Sequence, residues 1–144
     1  MNFHFVKENN ENKFYKLIKE DIEHVERELE LQFPMELKNF FEEIGYGFVK
    51  GSEFNINRIM DPESIRDFRL GINDFEFIPS IEIYREFENN KLVFFEANET
   101  AFMSIELGNQ KKNAVYYYDF KIADSLNEFL NNIMDNDKYY LELI

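Results

Sequence analysis

The sequence has no cysteine, no tryptophan, and only two histidines, five glycines and three prolines in 144 residues. Without cysteine the chain cannot form a disulfide framework, a cysteine-ligated zinc site or a thiol nucleophile. The patterns Gly-x-x-x-x-Gly-Lys-Ser/Thr, Gly-x-Gly-x-x-Gly and Gly-x-Ser-x-Gly do not occur either. The sequence therefore excludes several common nucleophile and phosphate-binding motifs.

Long apolar runs are also missing. No stretch approaches the roughly 20 apolar residues that a membrane-spanning helix requires. Residues 1–7 lack the extended apolar core of a secretory signal peptide. Together with the lack of cysteine, this predicts a cytoplasmic protein with no membrane partner. The length fits one domain, so we predict a single domain over residues 1–144.

Positive charge is scarce. The chain has 16 Lys and Arg against 29 Asp and Glu, which gives a formal net charge of −13. Such a field repels nucleic acid and anionic lipid, and it attracts basic proteins. We therefore expect a basic protein partner and no nucleic-acid partner. The competing interpretation is that the charge only keeps an aromatic-rich protein in solution.

Aromatic residues are abundant, with 17 Phe and 8 Tyr. Together with aliphatic residues, some of them help to define two helices at the start of the chain. Ile22, Val25 and Leu29 recur at helical spacing. Pro34 suits the first position of a second helix, which Gly45 ends as a left-handed cap. The buried stripe of that second helix is predicted to be Leu37, Phe40, Phe41 and Ile44.

The rest of the chain predicts strands and two more capped helices. Short strands are expected between residues 48 and 60, and Asp61-Pro62 begins a helix. Residues 72–90 fit no single pattern. Strands are predicted at residues 91–96, 100–107 and 114–120, the middle one with one buried and one wetter face. Ser125 to Glu128 match a capping box for a last helix. The fold class is α+β, with an antiparallel sheet flanked by N-terminal and C-terminal helices.

We find no catalytic, cofactor-binding or metal-binding pattern. His4 and His24 are too few and too isolated to form a zinc site. Asp135-Asn136-Asp137 begins like a calcium loop but lacks the later ligands, so a polar connection is the better interpretation. We predict no cofactor and no enzymatic activity.

One group of residues could form a binding surface. Glu96, Glu99, Glu106 and Asp119 lie at or near the three predicted strands, and no Lys or Arg occurs between residues 92 and 110. Paired strands would bring them into an acidic patch with the aromatic neighbours Phe102, Tyr116 and Tyr118. Aromatic anchors within complementary charge suit protein binding. Asp61 and Glu63 are lesser candidates. An ordinary solvated sheet face is the alternative.

The chain resembles the SMI1/KNR4 (SUKH) family in two stretches, residues 20–47 and 92–134. The first contains Ile22, Glu26, Leu29, Phe33-Pro34, Leu37-Lys38, Phe40-Phe41 and Ile44-Gly45-Tyr46-Gly47, similar to the family's helix–proline–helix opening. The second contains residues 102–107, 115–120 and 122–130, similar to its acidic-Leu strand, aromatic strand and final helix. The family often has Trp where Tyr118 stands, His near Phe120, and Gly in the turn at residues 98–101.

This resemblance implies a small α+β domain without enzymatic activity. Bacterial members are largely immunity proteins that bind and neutralise a cognate polymorphic toxin, and many such toxins are basic nucleases. We therefore predict an immunity protein that acts by stoichiometric binding. A non-enzymatic regulatory scaffold or adaptor module of the same fold is the alternative, and a carboxylate hydrolase with a bound metal is a third hypothesis.

Overall fold

A seven-stranded antiparallel sheet forms the centre of the protein, and each strand pairs with the strands next to it in sequence. The computed structural model describes residues 3–52, 55–78, 81–85, 88–98 and 101–143. The strands are Lys13–Tyr15 (β1), Tyr46–Lys50 (β2), Ile56–Ile59 (β3), Lys91–Ala97 (β4), Ala101–Glu106 (β5), Val115–Tyr117 (β6) and Phe120–Ala123 (β7). Short connections favour this order for four of the six strand pairs, whereas helices lie in the connections between β1 and β2 and between β3 and β4.

Helices flank the sheet. They are Lys19–Leu29 (α1), Met35–Glu43 (α2), Pro62–Leu70 (α3), Ile81–Arg85 (α4) and Leu126–Asp135 (α5). Within the described residues, 3-10 turns lie at His4–Lys7, Asn73–Phe75 and Tyr139–Glu142. The predicted α+β class is confirmed. The formerly unassigned region at residues 72–90 contains one of these turns and α4.

The α1–α2 opening is held by a buried glutamate. Glu26 accepts hydrogen bonds from the Phe33 amide (2.7 Å) and the Lys38 ammonium (2.8 Å). These contacts fix the turn between the two helices, because they tie the end of α1 to the residues on both sides of Pro34. Gly45 follows α2 with a φ of 109°, and a Cβ there would lie 1.9 Å from the Tyr15 carbonyl oxygen. Glycine is therefore required where β1 passes close by.

The predicted strand at residues 114–120 is wrong as a single strand. It is a hairpin, because Tyr118 has a φ of 56° and turns the chain between β6 and β7. The run of aromatic residues hides this turn, since a tyrosine rarely adopts the left-handed region. The sheet therefore contains one strand, β7, that the sequence did not predict. It also contains β1, which the polar residues before it did not indicate.

The two faces of the sheet are defined by the strand register. Ile59, Phe95 and Met103 lie opposite one another on the inner face and are fully buried. Helix α5 covers this face, and the Phe129 ring lies 4.9 Å from the Phe95 ring. Phe48, Arg58, Glu96 and Phe102 lie opposite one another on the outer face.

The outer face of β5 is not the wetter face predicted from its alternation. Phe102 and Ser104 are both buried. The Phe102 ring contacts Phe68 of α3 (4.8 Å) and Tyr84 of α4 (5.1 Å), so helices cover this half of the outer face too. Both faces of the central strands are therefore part of the core.

Two buried carboxylates join distant segments. Glu36 of α2 accepts the amides of Asn113 (3.0 Å), Leu126 (2.9 Å) and Asn127 (3.1 Å), so it satisfies the first turn of α5. Amides at a helix start have no partner within the helix, and a carboxylate there is favourable. The predicted cap is also present, because the Ser125 hydroxyl accepts the Glu128 amide at 3.0 Å.

The second buried carboxylate is Asp137, just after α5. It accepts hydrogen bonds from the Ser52 amide (3.0 Å), the Ser52 hydroxyl (2.8 Å) and the Asn57 side-chain amide (3.1 Å). The polar connection predicted here is thus a structural anchor for β2 and β3. Tyr140, in the 3-10 turn that follows α5, is buried.

Candidate partner-binding surface

Glu96 and Glu106, two of the acidic residues proposed from the sequence, lie opposite cations on neighbouring strands. Glu96 of β4 lies opposite Arg58 of β3, and Arg58 Nε is 3.4 Å from Glu96 Oε1. Both side chains are largely covered. Glu96 is therefore part of an ion pair on the outer face.

Glu106 ends β5 next to a second cation. It lies opposite Lys91 of β4 and accepts a hydrogen bond from the Gln110 side-chain amide. The Lys91 ammonium sits 4.1 Å from the centroid of the Tyr116 ring, which is a favourable cation–π distance. Glu106 and Tyr116 are thus brought together around Lys91, and both remain partly exposed.

Tyr118 and Asp119 form the turn between β6 and β7. The Tyr118 ring stacks on Tyr84 of α4 at 4.9 Å with an interplanar angle of 13°, and the two hydroxyl oxygens are 3.3 Å apart. Burial, with a smaller contribution from Tyr118, raises the pKa of Tyr117 to about 12. The stacking of Tyr118 on Tyr84 holds the turn against α4 and leaves Asp119 exposed at the tip of the turn.

The two lesser candidates differ in role. Asp61 is the N-cap of α3, and its carboxylate accepts the Ser64 hydroxyl (2.6 Å) and the Ser64 amide (3.3 Å). Glu63 is exposed in the first turn of the same helix. Glu99 lies outside the described residues. Three of the proposed contacts thus lie on the side of the sheet that β5, β6 and β7 form. They are Glu106, Tyr116 and Asp119.

Sequence reasoning missed the cations Arg58 and Lys91 and the buried roles of Glu36 and Asp137. Register is the signal that would have found the two cations, since residues opposite each other on paired strands are neighbours. Nothing in the local sequence marks the two carboxylates as buried.

The described part of the chain brings no three His, Cys, Asp or Glu side chains close enough to hold a metal ion. None of its helices is both long and apolar enough to cross a bilayer.

The order of these elements matches a known family. The family model described as SMI1-KNR4 cell-wall matches residues 19–130, well over half of the chain. The chain belongs to the SMI1/KNR4 (SUKH) family. Its matched region begins at α1 and ends within α5, so it includes the Glu26-held opening and the contact of Glu36 with α5 that stabilise this SMI1/KNR4 domain.

A curated relative of the chain carries a functional name. The chain is 61% identical over 144 residues to Immunity protein YxxD of Bacillus subtilis (strain 168). The similarity covers 100% of this chain and 98% of that relative. The likeness thus extends beyond the family match at both ends and includes β1 and the C-terminal turn.

Proposed function

We propose that this protein is an immunity protein that neutralises a cognate polymorphic toxin by stoichiometric protein–protein binding. The observation that carries the proposal is the 61% identity, over the full chain, with a protein named as an immunity protein. Identity at this level over nearly the full length of both chains implies the same fold. The same biological role in this chain is the simplest consequence.

We propose that the partner is a basic toxin of the nuclease type and that binding takes place in the cytoplasm. The net charge of −13 supports this choice. A strongly acidic protein attracts a basic one over a distance comparable to the Debye length, about 8 Å at physiological ionic strength. Such steering raises the association rate. We further propose that neutralisation requires no catalysis, cofactor, membrane or nucleic acid, and that residues 1–144 act as one domain.

The contacts that we propose are led by Glu106, Tyr116 and Asp119. They are exposed or half-buried at the β5–β7 end, and Tyr116 presents an aromatic ring beside Lys91. Five other residues remain proposed contacts of lower rank because they are structurally engaged, distant or outside the described residues; they are Glu96, Glu99, Tyr118, Asp61 and Glu63.

Co-expression tests the function. A toxin-like gene adjacent to this gene is expressed in a sensitive host together with the wild-type protein, and growth is measured; the lack of any such gene would count against the proposal. We expect growth to be restored and a one-to-one complex to be recovered. Absence of protection together with absence of a complex would reject the immunity function and favour the adaptor alternative.

The proposed contacts are tested in the same assay. The double variant Glu106→Gln/Asp119→Asn is expected to weaken protection, while Glu8→Gln/Glu42→Gln serves as the matched control. Both control residues are exposed carboxylates on other elements, so the two variants remove the same charge. Equal protection by both variants would show that only net charge matters.

A further inference from the structure

The outer face of the sheet is covered by helices over β4 and β5 but exposed over β1, β2 and β3. Apolar and aromatic side chains stand on this exposed part: Tyr15 is 49% exposed, Phe48 38% and Ile56 44%. Their neighbours at the next positions along the strands, such as Phe14 and Val49, point to the core. We call this part of the outer face the open face; it comprises Lys13, Tyr15, Phe48 and Ile56, together with the half-buried Tyr46 and, at its border, the largely covered Arg58.

The open face is ordered before any partner arrives. Tyr15 and Tyr46 lie opposite each other on β1 and β2, and their ring centroids are 5.6 Å apart. Phe48 lies between Lys13 and Arg58 in one cross-strand row. Rigid aromatic side chains on a sheet lose little entropy on binding, and Tyr and Arg are enriched among residues that dominate binding energy. A contiguous exposed apolar patch of this kind marks interaction surfaces.

The charge of the open face is opposite to that of the molecule. Arg58 is paired with Glu96, and the adjacent Lys50 is paired with Glu11 at 3.0 Å. Lys13 forms no ion pair with any residue in the described ranges, so the face carries a net positive charge within a chain of −13. A carboxylate from a partner is therefore better tolerated here than over the rest of the surface.

These features decide between two possible occupants. A second copy would bring together two chains that each carry a formal net charge of −13, and like-charged molecules repel each other. Like charges across an interface are unfavourable. A partner segment with a large apolar side chain beside a carboxylate would satisfy both the aromatic surface and the cation.

We infer that the open face anchors the toxin, through a toxin segment that presents an apolar side chain flanked by carboxylate. This inference rests on the proposed immunity function. The acidic surface of the molecule then attracts the toxin, and the open face holds it. Charge chiefly sets how fast the complex forms, whereas buried aromatic contacts chiefly set how slowly it separates.

The test measures dissociation of the purified toxin domain from the wild-type protein and from single variants. Tyr15→Ala and Phe48→Ala are each expected to speed dissociation about tenfold or more, the size typical of a dominant contact. The matched control is Phe77→Ala, since Phe77 is an aromatic residue outside the open face that is 85% exposed. It is expected to leave dissociation unchanged, and thermal melts check that all variants are folded.

Charge reversal provides the second arm. Lys13→Glu is expected to speed dissociation, whereas Lys7→Glu, an exposed lysine outside the face, is not. Unchanged dissociation for Tyr15→Ala and Phe48→Ala would overturn the inference while leaving the immunity function intact. A wild-type dimer that these variants convert to a monomer would make the occupant a second copy and also overturn it. If the wild-type protein neither binds nor protects, both proposals fail.

Discussion

Two phenylalanines in the same row of the sheet have opposite environments. Phe48 and Phe102 both stand on the outer face and belong to the same cross-strand row. Arg58 and Glu96 lie between them in that row. Phe102 is buried under Phe68, Phe75 and Tyr84, whereas Phe48 faces outward from β2. The strands are alike, so the helices above them make the difference.

This contrast separates stability from binding. A ring that the fold has already covered contributes to the free energy of folding, because its apolar area has left the water. A ring that the fold leaves exposed can bury that area only against a partner. The covered half of the outer face should therefore respond to mutation mainly through stability, and the open face mainly through binding.

The largest expected effect tests the covered half. Phe102→Ala removes a buried ring from the cluster under α3 and α4, and should lower the free energy of unfolding by about 3–5 kcal/mol. Urea denaturation measures the change. Phe77→Ala is the control and should have little effect, because that ring is exposed. A small loss for Phe102→Ala would mean that α3 and α4 do not form a tight cover.

The next largest effect concerns Asp137, which anchors the strands that carry the open face. Asp137→Ala leaves the Ser52 amide and the Asn57 side chain without their acceptor, and should cost about 2 kcal/mol, since an unsatisfied buried donor is expensive. Asp135→Ala, an exposed carboxylate at the end of α5, is the control. Equal unfolding midpoints in urea for the two variants would contradict the anchoring role.

Acid should weaken the same anchor by a smaller amount. Burial acts to raise the pKa of Asp137, but hydrogen bonds from Ser52 and Asn57 outweigh it and hold the pKa below its usual value. A lowered native pKa stabilises the fold above the unfolded-chain value, about 3.9 for Asp, and this contribution is lost as the pH falls through the native value. The difference in unfolding free energy between wild type and Asp137→Ala should therefore shrink below about pH 4. A constant difference would show that Asp137 is not the titrating group.

The smallest expected effect tests the open face directly. Phe48→Ala should change the free energy of unfolding by only about 0.5 kcal/mol, as is usual for an exposed position. Val49→Ala, the buried next residue on the opposite side of β2, should cost more. If Phe48→Ala destabilised the protein as much as Phe102→Ala, the contrast between the two halves would be broken.

Much of this architecture could be predicted from local sequence. Helical spacing and capping residues place α1, α2, α3 and α5, and alternation places β4 and β5. These features succeed because caps and periodic apolar residues act within a few neighbouring positions. The hairpin at Tyr118 was missed because its turn lacks the residues that usually allow a positive φ.

The surface was harder to predict than the elements. Glu96 and Glu106 have no cation near them in sequence, yet strand pairing supplies Arg58 and Lys91. The exposure of Phe48 and the burial of Phe102 depend on where α3 and α4 lie, and no local pattern carries that information. Register and layer packing are properties of the whole fold, so the binding surface emerges only with it.

The contact of Glu36 with the start of α5 has a consequence for the order of folding. Every strand pairs with its neighbour in sequence, so a chain made from its N-terminus can extend the sheet as each strand is completed. Glu36 must wait until Asn113, Leu126 and Asn127 have been synthesised. Until then the Glu36 carboxylate takes its hydrogen bonds from water. Docking of α5 therefore moves this carboxylate out of water only after all the strands have been made.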